Sequence, residues 1–292
     1  MKLVTFITPD DPRAPKLGAM VNDTVVDLAV AQTWAQGARG LPPKPLAADM
    51  LSLLSAGPEA MSAVREVVEA IGGDDPTRLK GAHRKPVGFR QSDVHLLPPL
   101  TQAVTLRDFY AFEQHVKTAN ANRGREVPPE WYEFPVFYFS NPNAIYGPNE
   151  SVPRPKASTA LDYELEIACV IGAAGKDIPV EKAEDHIAGY TIMNDWSARD
   201  IQRQEMKVGL GPAKGKDFAT SLGPWLVTPE ELEERRSEVR SRKDEGKSRG
   251  SVYDLEMVAR VNGVERSRGN WKDIHYTFAE MIARASADVW LV

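Results

Sequence analysis

The chain has 292 residues, with 36 Lys and Arg against 41 Asp and Glu and a formal net charge of −5, a balance that argues against broad binding to nucleic acid or to an anionic membrane surface. Its hydrophobic fraction of 42% and charged fraction of 26% are those of an ordinary globular chain, and no run approaches the roughly 18 apolar residues of a spanning helix. The one cysteine, Cys169, excludes an intrachain disulfide and a cysteine-based zinc cluster, so a cytoplasmic protein is expected whose chemistry comes from carboxylates, His, Lys, Arg and the backbone.

The opening Met-Lys-Leu-Val-Thr-Phe is too brief for the apolar core of a secretory leader and meets Pro and Asp at once. Residues 2–7 and 17–28 predict short strands around an Asp-Asp-Pro turn and an Asn-Asp turn. Residues 49–56 and 57–71 predict helices; in the second, Met61, Val64, Val67, Val68 and Ile71 follow the three-and-four spacing of one helix face. The breakers Gly72-Gly73-Asp74-Asp75-Pro76 end it. The Pro-rich stretch Leu96-Leu97-Pro98-Pro99-Leu100 places a boundary there. A small α+β region at 1–97 is therefore expected before a larger unit at 98–292.

Strand patterns dominate the second part. Residues 134–138, 163–171, 187–193, 225–227 and 255–262 read as strands, and residues 181–186, 195–206 and 278–285 as helices. Few of these fall in regular strand–helix–strand spacing, so a doubly wound parallel sheet is not expected. Residues 117–130 are polar, end in Pro128-Pro129 and predict a long surface loop. The mixed-charge run 230–250 predicts a solvated helix followed by a flexible loop, since its signs nearly cancel.

Four constellations carry candidate chemistry. In the 163–171 strand, Tyr163, Leu165, Ile167, Cys169 and Ile171 share one apolar face, and Glu164 and Glu166 share the other. Two carboxylates side by side repel, and tend to hold a proton or bind a cation. On their own they read first as a solvated strand face, because most Asp and Glu side chains face water. In Asn194-Asp195-Trp196-Ser197-Ala198-Arg199-Asp200-Ile201-Gln202 a strand feeds a helix opening at Asn194 or Asp195, both good N-caps. Asp195, Arg199 and Gln202 would then share a helix face, which alone amounts to a cap and a surface ion pair. If residues 107–115 are helical, Asp108 and His115 lie seven apart on one side, with His115 reading first as an ordinary surface histidine. Finally, Gly215-Lys216-Asp217 lacks the spacing of a phosphate-cradling loop. A lysine between such flanks could still reach a carboxylate.

Taken together and in this order, these segments resemble the fumarylacetoacetate hydrolase family. The matching residues are Asp108-Phe109-Tyr110 with His115, Pro135-Val136-Phe137-Tyr138, Tyr163-Glu164-Leu165-Glu166, Asn194 to Gln202, Gly215-Lys216-Asp217-Phe218 with Thr220, and Gly223-Pro224-Trp225. The stretch from Asn194 to Gln202 is the most specific, and the likeness covers about residue 100 to the end.

The resemblance implies an α+β, mostly β catalytic domain of layered mixed sheets. It implies a hard divalent cation held at Asp108, Glu164, Glu166 and Asp195, with Lys216 and Thr220 supporting the same region. An all-oxygen site favours Mg²⁺, Ca²⁺ or Mn²⁺ over zinc. His115 falls at the general-base position, a role suited to a side chain that titrates near neutral pH. Tyr110, Tyr138, Arg199 and Gln202 fall at substrate-contacting positions, joined by either Arg123 or Arg125, and residues 117–130 at a lid. The implied reaction is hydrolysis of a carbon–carbon bond in a β-diketone acid, foremost fumarylacetoacetate in aromatic amino-acid breakdown. The alternatives in the same fold are acylpyruvate cleavage, 2-oxo acid decarboxylation and isomerisation; a further alternative is an inactive metal-binding scaffold. The implied partners are a small-molecule β-diketone or 2-oxo acid and a second copy of the chain in a homodimer, with no nucleic acid and no membrane. Two departures stand out. Met206 occupies the position of a family tyrosine. The Pro-Gly-Asp and Gly-Thr segments that usually follow, one of which supplies an acidic partner for the histidine, are not found before Val292. Two expectations stand side by side: a sequence cut short of those segments, or a chain that has lost that part of the site.

Overall fold

The computed structural model describes residues 1–122, 124–240 and 247–292. Strands β1 (Lys2–Thr8) and β2 (Asp11–Val21) pair antiparallel, Leu3 opposite Ala19, and a turn at Asn22, whose φ of 52° is the left-handed value asparagine tolerates, leads into β3 (Thr24–Asp27). Asp27 ends β3 and caps helix α1 (Leu28–Arg39) by accepting the Val30 N–H. Helix α1 is not among the expected elements, because beyond Leu28 its buried face is two alanines, Ala31 and Ala35, which give little periodic signal. Helices α2 (Met50–Ser55) and α3 (Pro58–Ile71) match their expected ranges, and Val64, Val67 and Ile71 are buried as the spacing requires. Strand β4 (Gly88–Arg90) adds to β3, and β5 (His95–Leu97) to β1.

Beyond residue 100, β6 (Leu106–Phe109) precedes helix α4 (Glu113–Ala121) and pairs with β7 (Phe137–Ser140). Short strands β8 (Ile145–Tyr146) and β9 (Leu161–Asp162) lead to the long β10 (Leu165–Ile171). After β11 (Gly175–Lys176) and the single turn α5 (Val180–Ala183), β12 (Ile187–Asp195) lies antiparallel against β10. Then come β13 (Ser197–Ala198), α6 (Arg199–Val208), β14 (Thr220–Leu222) and β15 (Leu226–Val227). Two hairpins follow, β16 (Arg236–Arg240) with β17 (Ser248–Tyr253) and β18 (Glu256–Val261) with β19 (Val264–Asn270). Helix α7 (Phe278–Ser286) opens on a capping box between Thr277 and Glu280, and β20 (Trp290–Leu291) pairs with β11.

The main sheet runs β4-β3-β2-β1-β15-β12-β14-β8, with β10 on β12 and β5 on β1. Its centre is β15, which bonds to β1 at Leu3–Leu226 and to β12 at Tyr190–Val227. Sheet hydrogen bonds therefore cross the division drawn at residue 97. Under helices α1 to α3 the sheet buries Leu3, Val26, Leu53, Val64, Ile71 and Leu226, each contributing about 1.5–3 kcal/mol by leaving water. A second, aromatic core of Tyr190, Tyr253 and Trp271 backs the β10–β12 pair. The molecule is thus α+β. Among the described residues, no helix is long and apolar enough to cross a membrane.

Four local expectations are corrected. The helix expected from residue 195 starts at Arg199, because Asp195 is still paired with Thr220 as a strand residue and caps nothing. Asp108 and His115 do not share a helix: the first is on β6, the second on α4, with a break between them. Residues 117–121 of the expected loop are helical, and Pro129–Tyr132 forms a 3-10 turn. The charged run 230–250 holds a 3-10 helix (Pro229–Arg235) and the strand β16 in place of a solvated α-helix; its residues 241–246 lie outside those described.

Candidate active site and metal centre

Three strands deliver acids to one point. β6 carries Asp108, the start of β10 carries Glu166 with Glu164 just before it, and the end of β12 carries Asp195. Asp108, Glu164 and Asp195 each offer a carboxylate oxygen, and the three oxygens lie within 4.8 Å of one another. The backbone explains the convergence. Asp108 sits opposite Tyr138 across β6–β7, and Asn194, next to Asp195, holds the chain at Glu164 by accepting its N–H at 3.0 Å.

Cations and hydroxyls fill the space between the acids. Lys216, only 3% exposed, places Nζ 2.5 Å from Glu164 Oε2 and 2.6 Å from Asp195 Oδ2. The Tyr138 hydroxyl bridges Asp108 Oδ2, at 3.0 Å, and Asp195. Arg199 points Nε at Asp162 Oδ2 and Nη1 at Glu164 Oε1, both at 2.7 Å, and Nη1 also reaches Gln202 Oε1 at 3.2 Å. Asp195 Oδ1 is buried and has no hydrogen-bond partner.

These surroundings push the acids apart. Burial raises the Asp108 carboxyl well above the usual range, and the charges of Glu166 and Asp195 add to this. Burial likewise pushes Glu166 up to about 8, helped by Glu164 and Asp195. Glu164 goes the other way: burial opposes its ionisation, but the Lys216 and Arg199 charges and their hydrogen bonds outweigh it and bring it below its ordinary value. Lys216 is held charged by Asp195 and Glu164 against the pull of burial. The cluster thus combines one carboxylate, Glu164, pushed towards its charged form with two, Asp108 and Glu166, pushed towards their neutral forms. Crowded, oxygen-only and with an unpaired Asp195 Oδ1, these residues fit a hard divalent cation, whose charge would relieve the repulsion between the acids.

The expected site residues fall into three groups. Asp108, Glu164 and Asp195 form the triad, and Glu166 lies against it. Lys216 contacts the acids themselves, as an ammonium with three donors and no lone pair for a metal must. Thr220 is buried on β14 opposite Asp195. Arg199, expected at a substrate-contacting position, points its fork at Asp162 and Glu164. Asp162 was missed, although Asp162, Glu164 and Glu166 recur every second residue, the strand alternation that could have found it.

Tyr110 and His115 form the second group, their rings meeting edge-on with centroids 5.3 Å apart. The chain between Asp108 and α4 is tied down from outside: Trp131 Nε1 donates to Tyr110 O at 2.8 Å, the His275 N–H to Ala111 O at 2.9 Å, and the Tyr132 hydroxyl to Glu113 at 2.8 Å. Arg125 is an exposed residue in the turn after α4, its N–H on Asn120 O, and Arg123 lies outside the described residues.

The geometry can be set beside known proteins. A family model described as fumarylacetoacetate (FAA) hydrolase C-terminal matches residues 105–292. The fumarylacetoacetase of Oryza sativa subsp. japonica is 29% identical over 94% of this chain and 72% of its own length. That of Arabidopsis thaliana is 32% identical over 77% of this chain and 59% of its own. The chain thus spans only part of these curated relatives. Among solved structures, a fumarylacetoacetate hydrolase from Exiguobacterium antarcticum aligns with a TM-score of 0.62 at 21% identity, covering 100% of this chain and 83% of that one. A 2-hydroxyhepta-2,4-diene-1,7-dioate isomerase from Mycobacterium marinum aligns at 0.58 and 21%, again over 100% and 83%. At such identities these structures speak for the shared fold alone.

Proposed function

The chain belongs to the fumarylacetoacetate hydrolase family, and from that membership we propose a divalent-cation-dependent hydrolase that splits a carbon–carbon bond in a β-diketone acid, with fumarylacetoacetate going to fumarate and acetoacetate. The observation that carries this reading is the meeting of Asp108, Glu164 and Asp195 within 4.8 Å, with Glu166 beside them and Asp195 Oδ1 unpaired. Asp108, Glu164, Asp195 and Glu166 would hold Mg²⁺, Ca²⁺ or Mn²⁺. When bound, the cation supplies Lewis-acid polarisation of the two neighbouring oxygens of a β-diketone.

The rest falls to the chain's own groups. His115 takes a proton from water, whose oxygen attacks the carbonyl carbon. The bond between that carbon and the adjacent methylene breaks, its electron pair stays on the methylene carbon, and the proton held by His115 returns there. One product leaves as a carboxylic acid and the other as a methyl ketone, so atoms and charge balance. Lys216, fixed between Glu164 and Asp195, puts positive charge where oxygen becomes anionic. Tyr110, Tyr138 and Gln202 orient the substrate chain, and Arg123 or Arg125 meets its distal carboxylate. Arg199 acts mainly by orienting Glu164. The homodimer, the place in aromatic amino-acid breakdown, the cytoplasmic location and the division into 1–97 and 98–292 belong to the same proposal.

The names of the Oryza sativa and Arabidopsis thaliana relatives favour hydrolysis. Met206, 45% exposed at the end of α6 where the family has a tyrosine, favours a related β-diketone acid as the second substrate to try. The test is turnover of fumarylacetoacetate by the purified chain with Mg²⁺ or Ca²⁺, after chelation, and in His115→Ala. Cation-dependent cleavage that disappears in the variant is the expected result. Cleavage that survives both chelation and His115→Ala contradicts the proposal.

A further inference from the structure

Lys216 is the buried cation of the acidic cluster, yet it sits on a loop whose neighbours Ala213 and Lys214 are exposed. Something other than a hydrophobic core must hold its backbone. Helix α6 ends at Gly209, in the left-handed conformation at φ 79°, and the chain turns back along the helix to reach Lys216. On that return Glu205 of α6 gathers three consecutive N–H groups. Its Oε2 accepts from Ala213 at 2.9 Å and from Gly215 at 3.2 Å, and its Oε1 from Lys214 at 2.7 Å. The loop lies close against the helix: a Cβ on Gly215 would come within 2.8 Å of Gln202 N and 2.9 Å of Gln202 Cα. Gly215 O in turn accepts from Ala198 N at 2.8 Å, and the next residue is Lys216.

We propose that Glu205 is a positioning residue: by gathering the N–H groups of Ala213, Lys214 and Gly215 against α6, it sets the Lys216 ammonium between Glu164 and Asp195. Hydrogen bonds from N–H to a carboxylate are roughly twice as strong as neutral ones, and three of them hold a loop that buries little apolar surface. Helix α6 reaches the site from two sides at once. Arg199 at its start orients Glu164, and Glu205 near its end places the lysine that meets the same carboxylate. A shift of either end moves the charge pattern of the whole cluster.

The inference rests on the hydrolase reading only for its consequence in turnover; its test does not use turnover. The protein is acylated with N-hydroxysuccinimidyl acetate, and each lysine is quantified by mass spectrometry, in wild type and in Glu205→Gln. The amide keeps the size of the carboxylate but turns an N–H₂ group towards N–H donors. Lys216 is expected to be protected in wild type and to label about tenfold faster in the variant, the scale of one lost charge-assisted hydrogen bond, while Lys214 labels equally in both. Mn²⁺ binding gives a second readout. Removing the ammonium in Lys216→Met is expected to tighten Mn²⁺ about tenfold and Glu205→Gln about threefold, with the double variant matching Lys216→Met within about twofold. Unchanged protection of Lys216 in Glu205→Gln, a uniform rise at every lysine, or additive Mn²⁺ effects would overturn the proposal. Wild-type amide exchange needs no variant. The exposed Ala213 and Lys214 amides are expected to exchange at least about tenfold more slowly than unbonded loop amides, and fast exchange there overturns the proposal equally.

Discussion

In the metal-free protein the Glu166 carboxyl sits at about 8, against 4.5 ordinarily. Its folded-state value is raised, so the native chain keeps a proton that the unfolded chain gives up across that window. Stability must therefore fall as pH climbs from about 4.5 towards about 8. At about 1.4 kcal/mol for each pH unit, the full effect is roughly 5 kcal/mol, and relaxation with entry of water leaves ~2–3 kcal/mol. Asp108, raised chiefly by burial, acts with the same sign. Glu164 has the opposite sign, because its folded value is lowered, and its contribution is lost only as pH falls through that lower value. The assay is urea unfolding in EDTA from about pH 5 to about pH 8.5, for wild type and Glu166→Gln. Wild type is expected to lose stability across this range and the variant to lose ~2 kcal/mol less. Saturating Mg²⁺ is expected to flatten the wild-type slope, since the cation replaces the held protons. Equal slopes in the two proteins, or wild-type stability that rises with pH, would refute the reasoning.

Other expectations follow from the same geometry. Lys216→Met leaves Glu164 and the 1%-exposed Asp195 short of a counter-ion and is expected to cost about 3–5 kcal/mol at neutral pH in EDTA, part of it restored by Mg²⁺ in thermal unfolding. Trp131→Phe removes the donor to Tyr110 O; about 1 kcal/mol of stability should go, and kcat should fall more than KM as the Tyr110–His115 segment loosens. Leu53→Ala in the N-terminal core, where Leu53 is fully buried, should cost about 2–5 kcal/mol by urea unfolding while leaving Mn²⁺ affinity at the wild-type value.

Much of the site was legible because strand alternation and short-range spacing encode it. Glu164 and Glu166 lie two apart, one just before β10 and one at its start, and both reach one region. The segment from Asn194 to Gln202 does carry an acid and an arginine into the cluster. Its geometry was misread, because Asp195 and Asn194 have the chemistry of helix caps but are used in the sheet, with Asp195 pairing to Thr220 and Asn194 holding Glu164. Local preference cannot see that a strand twenty-five residues on, β14, will claim Asp195 first. The acid partners of Arg199, Asp162 and Glu164, are more than thirty residues away in sequence, and only the folded chain brings them together. Glu205 gave no signal at all, since a glutamate on an exposed helix looks the same whether it faces water or three loop amides. In the fold, α1 went unseen because alanines form its buried face, whereas α3, with valines and an isoleucine at helical spacing, was plain.

The central claim is that Asp108, Glu164 and Asp195 form one divalent-cation site, and titration of chelator-treated protein with Mn²⁺, read by the paramagnetic signal of the free ion, tests it most directly. The account predicts one tight ion per chain, competed by Mg²⁺ or Ca²⁺ and lost in Asp195→Asn, whose fold is preserved by far-UV circular dichroism. Failure of the wild-type chain to bind Mn²⁺, or binding that persists unchanged in Asp195→Asn, would contradict it.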